Sequence, residues 1–227
     1  MVGKKAEKIL VYADVLTSGK ERMLGPVAIP VHDNCVVFDL EGMPPHLDEL
    51  EKINLWGMRV YGKRPSEVMG VTAGFGKDGD RGGVGGVSRC CHEALRRIRG
   101  HSIFPSASLR EDLHQQYIDR YGVTDGIAAL VIRNLLDLLP VTKNAIALPL
   151  PSYSLKVVEG YVGFERTQDE YGGIWAMAQF ILATETEDEA ERNARMAEIL
   201  KYNEEDLAAT WAVFGWLRSK GASGRIA

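Results

Sequence analysis

The sequence predicts an α/β fold, and three observations carry that prediction. Three strand-like runs follow one another closely between residues 35 and 73, separated by turn residues. An apolar run with helical spacing occupies residues 126–139. A long, charge-rich helical region closes the chain from Thr186 to Lys220. Strands grouped ahead of helices, with period-2 patterning giving way to period 3.6, describe a sheet covered by helices.

Composition suits a single globular domain: 227 residues, 45% hydrophobic and 26% charged. The formal net charge of −4 gives no global basic signal for nucleic acid. Any basic groove would have to be local, and a metal site is itself acidic. Cys35, Cys90 and Cys91 have neither zinc-site nor disulfide-framework spacing, so a cytoplasmic setting is expected. No run has the length of a membrane span or a signal-peptide core.

Residues 1–34 read as a leader or linker, with Ile9–Ala13 as a short strand and residues 25–30 as an extended lead-in. The pattern sharpens at Cys35. Residues 36–40 are the first strand, 53–61 the second and 67–73 the third. Gly62-Lys63-Arg64-Pro65 marks a hairpin-type turn, and the three strands form an antiparallel meander. The first strand ends in Asp39-Leu40-Glu41. Alternate strand residues point the same way, so the two acids share a face. They repel each other unless a cation lies between them, and hard divalent ions take such oxygens. The plainer alternative is a strand running into an acidic turn.

Residues 74–83 form a Gly-rich loop without the ending of a phosphate loop. Residues 84–116 show neither helical nor strand periodicity, although Arg89, Arg96, Arg97, Arg99 and Arg110 gather there. A basic arm is one reading. Cys90-Cys91-His92 makes a poor chelate, because adjacent cysteines rarely hold one ion well. Residues 117–122 look like a glycine-capped helix end. The helix at 126–139 is stopped by Pro140, with Asp137 a capping or locally paired acid. The serine after Pro151 is read as the N-cap of a helix from Leu155 to Val162 that carries Lys156 in its first turn. Ile174–Ala183 is an apolar helix whose Trp175, Met177 and Phe180 are spaced for the core. Thr186-Glu187-Asp188-Glu189 opens the final helical region. Within that region Tyr202 and Asp206 lie one turn apart on one face, and Leu207, Trp211, Phe214 and Leu217 pack behind.

Four pieces together resemble the DnaQ-like, RNase H-fold 3′–5′ exonucleases with a tyrosine in the last motif. They are Phe38-Asp39-Leu40-Glu41-Gly42, Ser152-Tyr153-Ser154-Leu155-Lys156, Tyr161-Val162-Gly163-Phe164, and Tyr202-Asn203-Glu204-Glu205-Asp206. The pieces also resemble the C-terminal domains of RecB-type nucleases and YprB-like domains. The likeness covers about residues 35–83 and 117–220. The resemblance implies a mixed central sheet flanked by helices in a domain spanning 35–220, with 221–227 a tail. It implies two Mg²⁺ or Mn²⁺ ions held by Asp39, Glu41, Asp206 and a middle-motif acid. Tyr202 would orient the attacking water, while Lys156 and Ser154 would contact substrate. The implied partner is nucleic acid at single-stranded ends, and a nuclease or helicase-type domain is expected N-terminal to such a domain.

The chain departs from the family in the middle motif. Relatives carry a helix beginning like Trp-Glu-Ala-Phe, then a strand ending in a histidine and a Tyr-Glu pair. Permitted codons for Val84–Cys91, read one base later, can spell WEAFLAAA, and those from Ser106 can spell VHLYEKTFI. Residues 83–116 are therefore expected to be an out-of-frame segment, with Glu111 or Asp112 nearest to the lost carboxylate. A second expectation follows: an RNase H-like domain that has lost activity and keeps only nucleic-acid or protein contacts.

Overall fold

The computed structural model describes residues 2–43, 52–74, 79–98, 104–106, 119, 126, 130, 131, 133–168 and 172–223. Helix α1 spans Val2–Ser18 and strand β1 Arg22–Met23. The meander is β2 (Asn34–Met43), β3 (Lys52–Gly62) and β4 (Met69–Thr72), hydrogen-bonded in that order and antiparallel. Next come α2 (Asp80–Ile98), β5 (Phe104–Ser106), β6 (Leu135–Asp137), α3 (Leu138–Ala145) and β7 (Ile146–Ala147). The chain finishes with α4 (Leu155–Tyr161), α5 (Gly173–Glu185) and α6 (Glu189–Ser223).

Strands β2 and β3 are buried on both faces, which explains why residues 35–38 read as an unbroken apolar run. Val36, Phe38, Trp56, Met58 and Val60 point to one side and pack with Cys91 and Ala94 of α2. On the other side Cys35 packs with Val213, Phe214 and Leu217 of α6. Leu55 packs there with Phe180 of α5 and with Ile199 and Tyr202 of α6. Asp39 and Glu41 alternate onto this second side. A register irregularity between Glu41 and Gly42 breaks the ladder just after the acids.

Several expectations are corrected. Residues 9–13 are helical rather than a strand, because α1 turns only part of itself inward: Val15 is buried while Ile9 and Leu10 face solvent. Residues 1–34 also touch the rest of the fold. Strand β1 pairs with β7, and Tyr161 Oη donates to Glu21 at 2.9 Å.

The segment from residue 84 is not patternless. Residues 84–98 belong to α2, which already begins at Asp80 inside the expected loop. Its inner face is built from Gly83, Gly86, Cys91 and Ala94 with Val87 and Cys90 beside them, an apolar stripe interrupted by glycines. A Cβ at Gly83 would overlap the Trp56 ring, and one at Gly86 would press on Val71. Tight helix-on-sheet packing therefore requires glycine there.

The helix expected over 126–139 gives way at Asn134, and β6 pairs parallel with β5. Asp137 accepts from the Leu139 backbone N–H at 2.8 Å and so caps α3. Pro140 then sits in the first turn of α3, where its missing N–H costs no bond, instead of ending a helix. The ladders form three separate hydrogen-bonded sets among the described residues, not one continuous mixed sheet. Residues 117, 118, 120–122, Glu111 and Asp112 lie outside the described residues. No helix among the described residues is long and apolar enough to cross a membrane.

Candidate metal centre

The site forms where α6 crosses the meander. Asp39 stands opposite Gly57 in the β2–β3 ladder. Asn203 of α6 reaches this pair, and its Nδ2 donates to Asp39 Oδ2 at 2.8 Å. A Cβ at residue 57 would overlap the Asn203 carboxamide, so glycine is what allows the helix to come this close. The same turn of α6 brings in Tyr202 and Asp206, both buried. Carboxylate oxygens of Asp39, Glu41 and Asp206 lie within 4.8 Å of one another.

Three carboxylates at this distance in a partly dry site cannot all ionise unaided. Burial first, then repulsion from Asp206 and Glu41, pushes Asp39 well above the usual carboxylate range. Burial and Asp206 push Glu41 up to about 8, against the pull of Lys156 and Arg166. Asp206 is raised chiefly by burial, with Arg166, Tyr202 and Lys156 pulling it back. Such a site is completed by protons or by cations. Its donors are all hard carboxylate oxygens, the chemistry that suits Mg²⁺ or Mn²⁺.

Two basic side chains stand beside the acids. Lys156 Nζ lies 4.9 Å from the centre of the Tyr202 ring, on the first turn of α4. Burial and the neighbouring Arg166 lower its pKa. Arg166 follows a turn in which Gly163 takes a left-handed φ of 85°. Its guanidinium forks onto buried Glu159, Nε to Oε1 at 2.5 Å and Nη2 to Oε2 at 2.7 Å, and Nη2 also donates to Asp206 Oδ1. Glu205 pins the same segment, accepting from Thr167 N at 2.8 Å, Thr167 Oγ1 at 2.5 Å and Gln168 N at 3.2 Å. The first turn of α5 comes up to Glu41, since a Cβ at Gly173 would sit 3.8 Å from Glu41 Oε2.

The structure thus brings together Asp39, Glu41, Tyr202 and Asp206, with Lys156 beside them. Ser154 occupies the N-cap position of α4 but makes no side-chain cap bond, because its Oγ pairs with Ser152 Oγ at 3.1 Å. No described contact links Ser154 to the acids. Sequence reasoning missed Asn203, Gly57, Glu159, Glu205 and Arg166. Asn203 and Glu205 lay inside the quoted Tyr-Asn-Glu-Glu-Asp run, and their helical offsets from Tyr202 and Asp206 were the available signal. Nothing in local patterning marks Gly57 or Arg166, whose roles come from contacts distant in sequence.

An α/β fold with an acidic triad on a strand and a helix defines a candidate metal centre. Residues 106–218 match the family model RNase_H_2, described as RNase H superfamily. The match supports an RNase H-like domain, a class tied to nucleic acid and nuclease-type chemistry. It includes Lys156, Arg166, Tyr202 and Asp206, whereas Asp39 and Glu41 lie upstream of it. No curated protein and no solved structure matches the chain.

Proposed function

We propose that the domain is a metal-dependent 3′–5′ exonuclease of the DnaQ-like, tyrosine-bearing kind that hydrolyses phosphodiester bonds at single-stranded nucleic acid ends. The observation that carries this reading is the convergence of Asp39, Glu41 and Asp206, three residues from two elements more than 160 positions apart. In this reading the domain spans residues 35–220, residues 1–34 precede it and residues 221–227 form a tail. The partial likeness extends to RecB-type and YprB-like domains.

Asp39, Glu41 and Asp206 would hold Mg²⁺ or Mn²⁺. Bound divalent ions supply Lewis-acid chemistry, making water more acidic and the scissile phosphate more electrophilic. The chain's own residues set the geometry. Asn203 fixes the rotamer of Asp39 without adding charge. Burial and the nearby carboxylates push the Tyr202 hydroxyl far above its ordinary pKa. It therefore stays protonated at neutral pH and works as a hydrogen-bond donor that orients water, not as a base. Lys156 presents positive charge where a substrate phosphate would enter, and exposed Ser154 lies two residues before it on the same rim.

The out-of-frame reading of residues 83–116 belongs to this proposal, with the middle-motif acid replaced at best by Glu111 or Asp112. Codons that cannot yield the motif in the shifted frame overturn it. One observation favours a second reading, an inactive RNase H-like interaction domain: Arg166 already pairs with Asp206. A 5′-labelled single strand incubated with the protein and Mn²⁺ decides between them. The exonuclease reading expects stepwise shortening that needs Mn²⁺ and falls by a factor of 10² or more, on the order of a lost catalytic group, in Asp39→Ala. Undiminished activity in Asp39→Ala rejects the site, and no shortening in the wild type favours the inactive domain.

A further inference from the structure

Arg166 is the feature that the proposed chemistry does not use. Its side chain is only 10% exposed, and it touches two acids at once. Glu159 takes the fork with both oxygens, while Asp206 shares Nη2. Nη1 is buried with no partner among the described residues. A guanidinium fixed in a permanent structural bridge has its donors filled. This one is anchored on one edge and incompletely satisfied on the other.

The local charges make the arrangement specific. Glu205 is answered by backbone and hydroxyl donors from Thr167 and Gln168 and shares no hydrogen bond with Arg166 among the described residues. Asp39 is answered by the neutral amide of Asn203. Asp206 alone among the triad is in contact with a fixed positive charge. That charge takes one oxygen, Oδ1, of a carboxylate that belongs to the acidic triad.

We propose that Arg166 is a resident counter-ion that competes with the divalent cation for Asp206, and that Glu159 is the anchor that draws Arg166 away when the cation binds. The inference rests on the metal centre proposed above and adds residues that set its cation affinity. Glu159 and Arg166 together form a neutral pair, so removing either changes the net charge beside Asp206 in opposite directions. Without Arg166, Asp206 is free and Glu159 adds negative potential, so the cation binds more tightly. Without Glu159, Arg166 has only Asp206 to neutralise, so the cation binds more weakly. Charge alone sets those two signs, so the discriminating variant is Arg166→Lys: a merely structural bridge would leave its cation affinity no tighter than wild type.

The test is direct Mn²⁺ titration of the full chain, reading free Mn²⁺ by electron paramagnetic resonance, for wild type, Arg166→Gln, Glu159→Gln and the double variant. Circular dichroism establishes that each variant is folded. Arg166→Gln is expected to bind Mn²⁺ at least about tenfold more tightly, the scale of one unit charge removed from contact distance. Glu159→Gln is expected to bind about tenfold more weakly by the same reasoning. The double variant returns toward wild type. Arg166→Lys, which also serves if Arg166→Gln does not fold, keeps the charge but loses the fork, and should bind more tightly than wild type because a lysine cannot bridge both acids. Shifts of the same sign in the two single variants, no shift, or an Arg166→Lys affinity no tighter than wild type overturn the proposal while leaving the metal centre standing. An absence of saturable Mn²⁺ binding in every protein overturns the metal centre and this inference together.

Discussion

Asp39 and Asp206 reach one acidic cluster from a strand and a helix and are held in different ways. Asp39 receives a neutral amide from Asn203, admitted by the bare backbone of Gly57. Asp206 receives a shared guanidinium that also serves Glu159. A neutral donor orients a carboxylate and leaves its charge available to a cation. A cationic donor orients it and also cancels its charge. One side of the centre is thus prepared for a cation, and the other is occupied by a substitute for one.

The largest effect is expected on the Asp39 side, where tolerance for change is least. Gly57→Ala forces the Asn203 carboxamide out of its place above Asp39. Overpacking of this kind costs about 1–3 kcal/mol. Equilibrium unfolding in denaturant should show that loss, and Asn203→Ala should suppress it, since the added methyl then meets no carboxamide. Equal costs in both backgrounds would show that the close approach at Gly57 does not depend on Asn203.

A smaller and graded effect is expected from pH. The folded-state pKa of Glu41, about 8, lies above its ordinary value of 4.5. Such a group contributes stability that is fully present below pH 4.5 and is lost as pH rises through about 8. Asp39 and Asp206 shift in the same direction. The melting temperature in EDTA should therefore fall between pH 5 and pH 8, and saturating Mn²⁺ should flatten or reverse the fall. Asp39→Asn, which removes the repulsion that Glu41 and Asp39 share, should flatten it without metal. A metal-free protein that becomes more stable toward pH 8 would contradict the electrostatics of the cluster.

Much of the Asp39–Asp206 centre was legible in the sequence because its parts are local signals. Period 2 put Asp39 with Glu41, and the helical period put Tyr202 with Asp206. The support around them was less legible. Gly57 matters through a helix about 150 residues away, and Arg166 through Glu159 and Asp206. Helix α2 was hard to read because glycines at 83 and 86, which close packing on Trp56 and Val71 requires, interrupt the apolar stripe of Val87, Cys90, Cys91 and Ala94. The boundary at Asn134 was misplaced because Leu135 and Leu138 fit helical spacing equally well. The cap at Asp137 and the place of Pro140 in a new first turn decided the matter.

The central claim is that Asp39, Glu41 and Asp206 form one cation site. Crystals soaked in Mn²⁺ and measured for anomalous scattering address it most directly. The account predicts an anomalous peak in contact with carboxylate oxygens of all three residues, with Arg166 displaced from Asp206. A peak elsewhere, or none at the triad under saturating Mn²⁺, would contradict it.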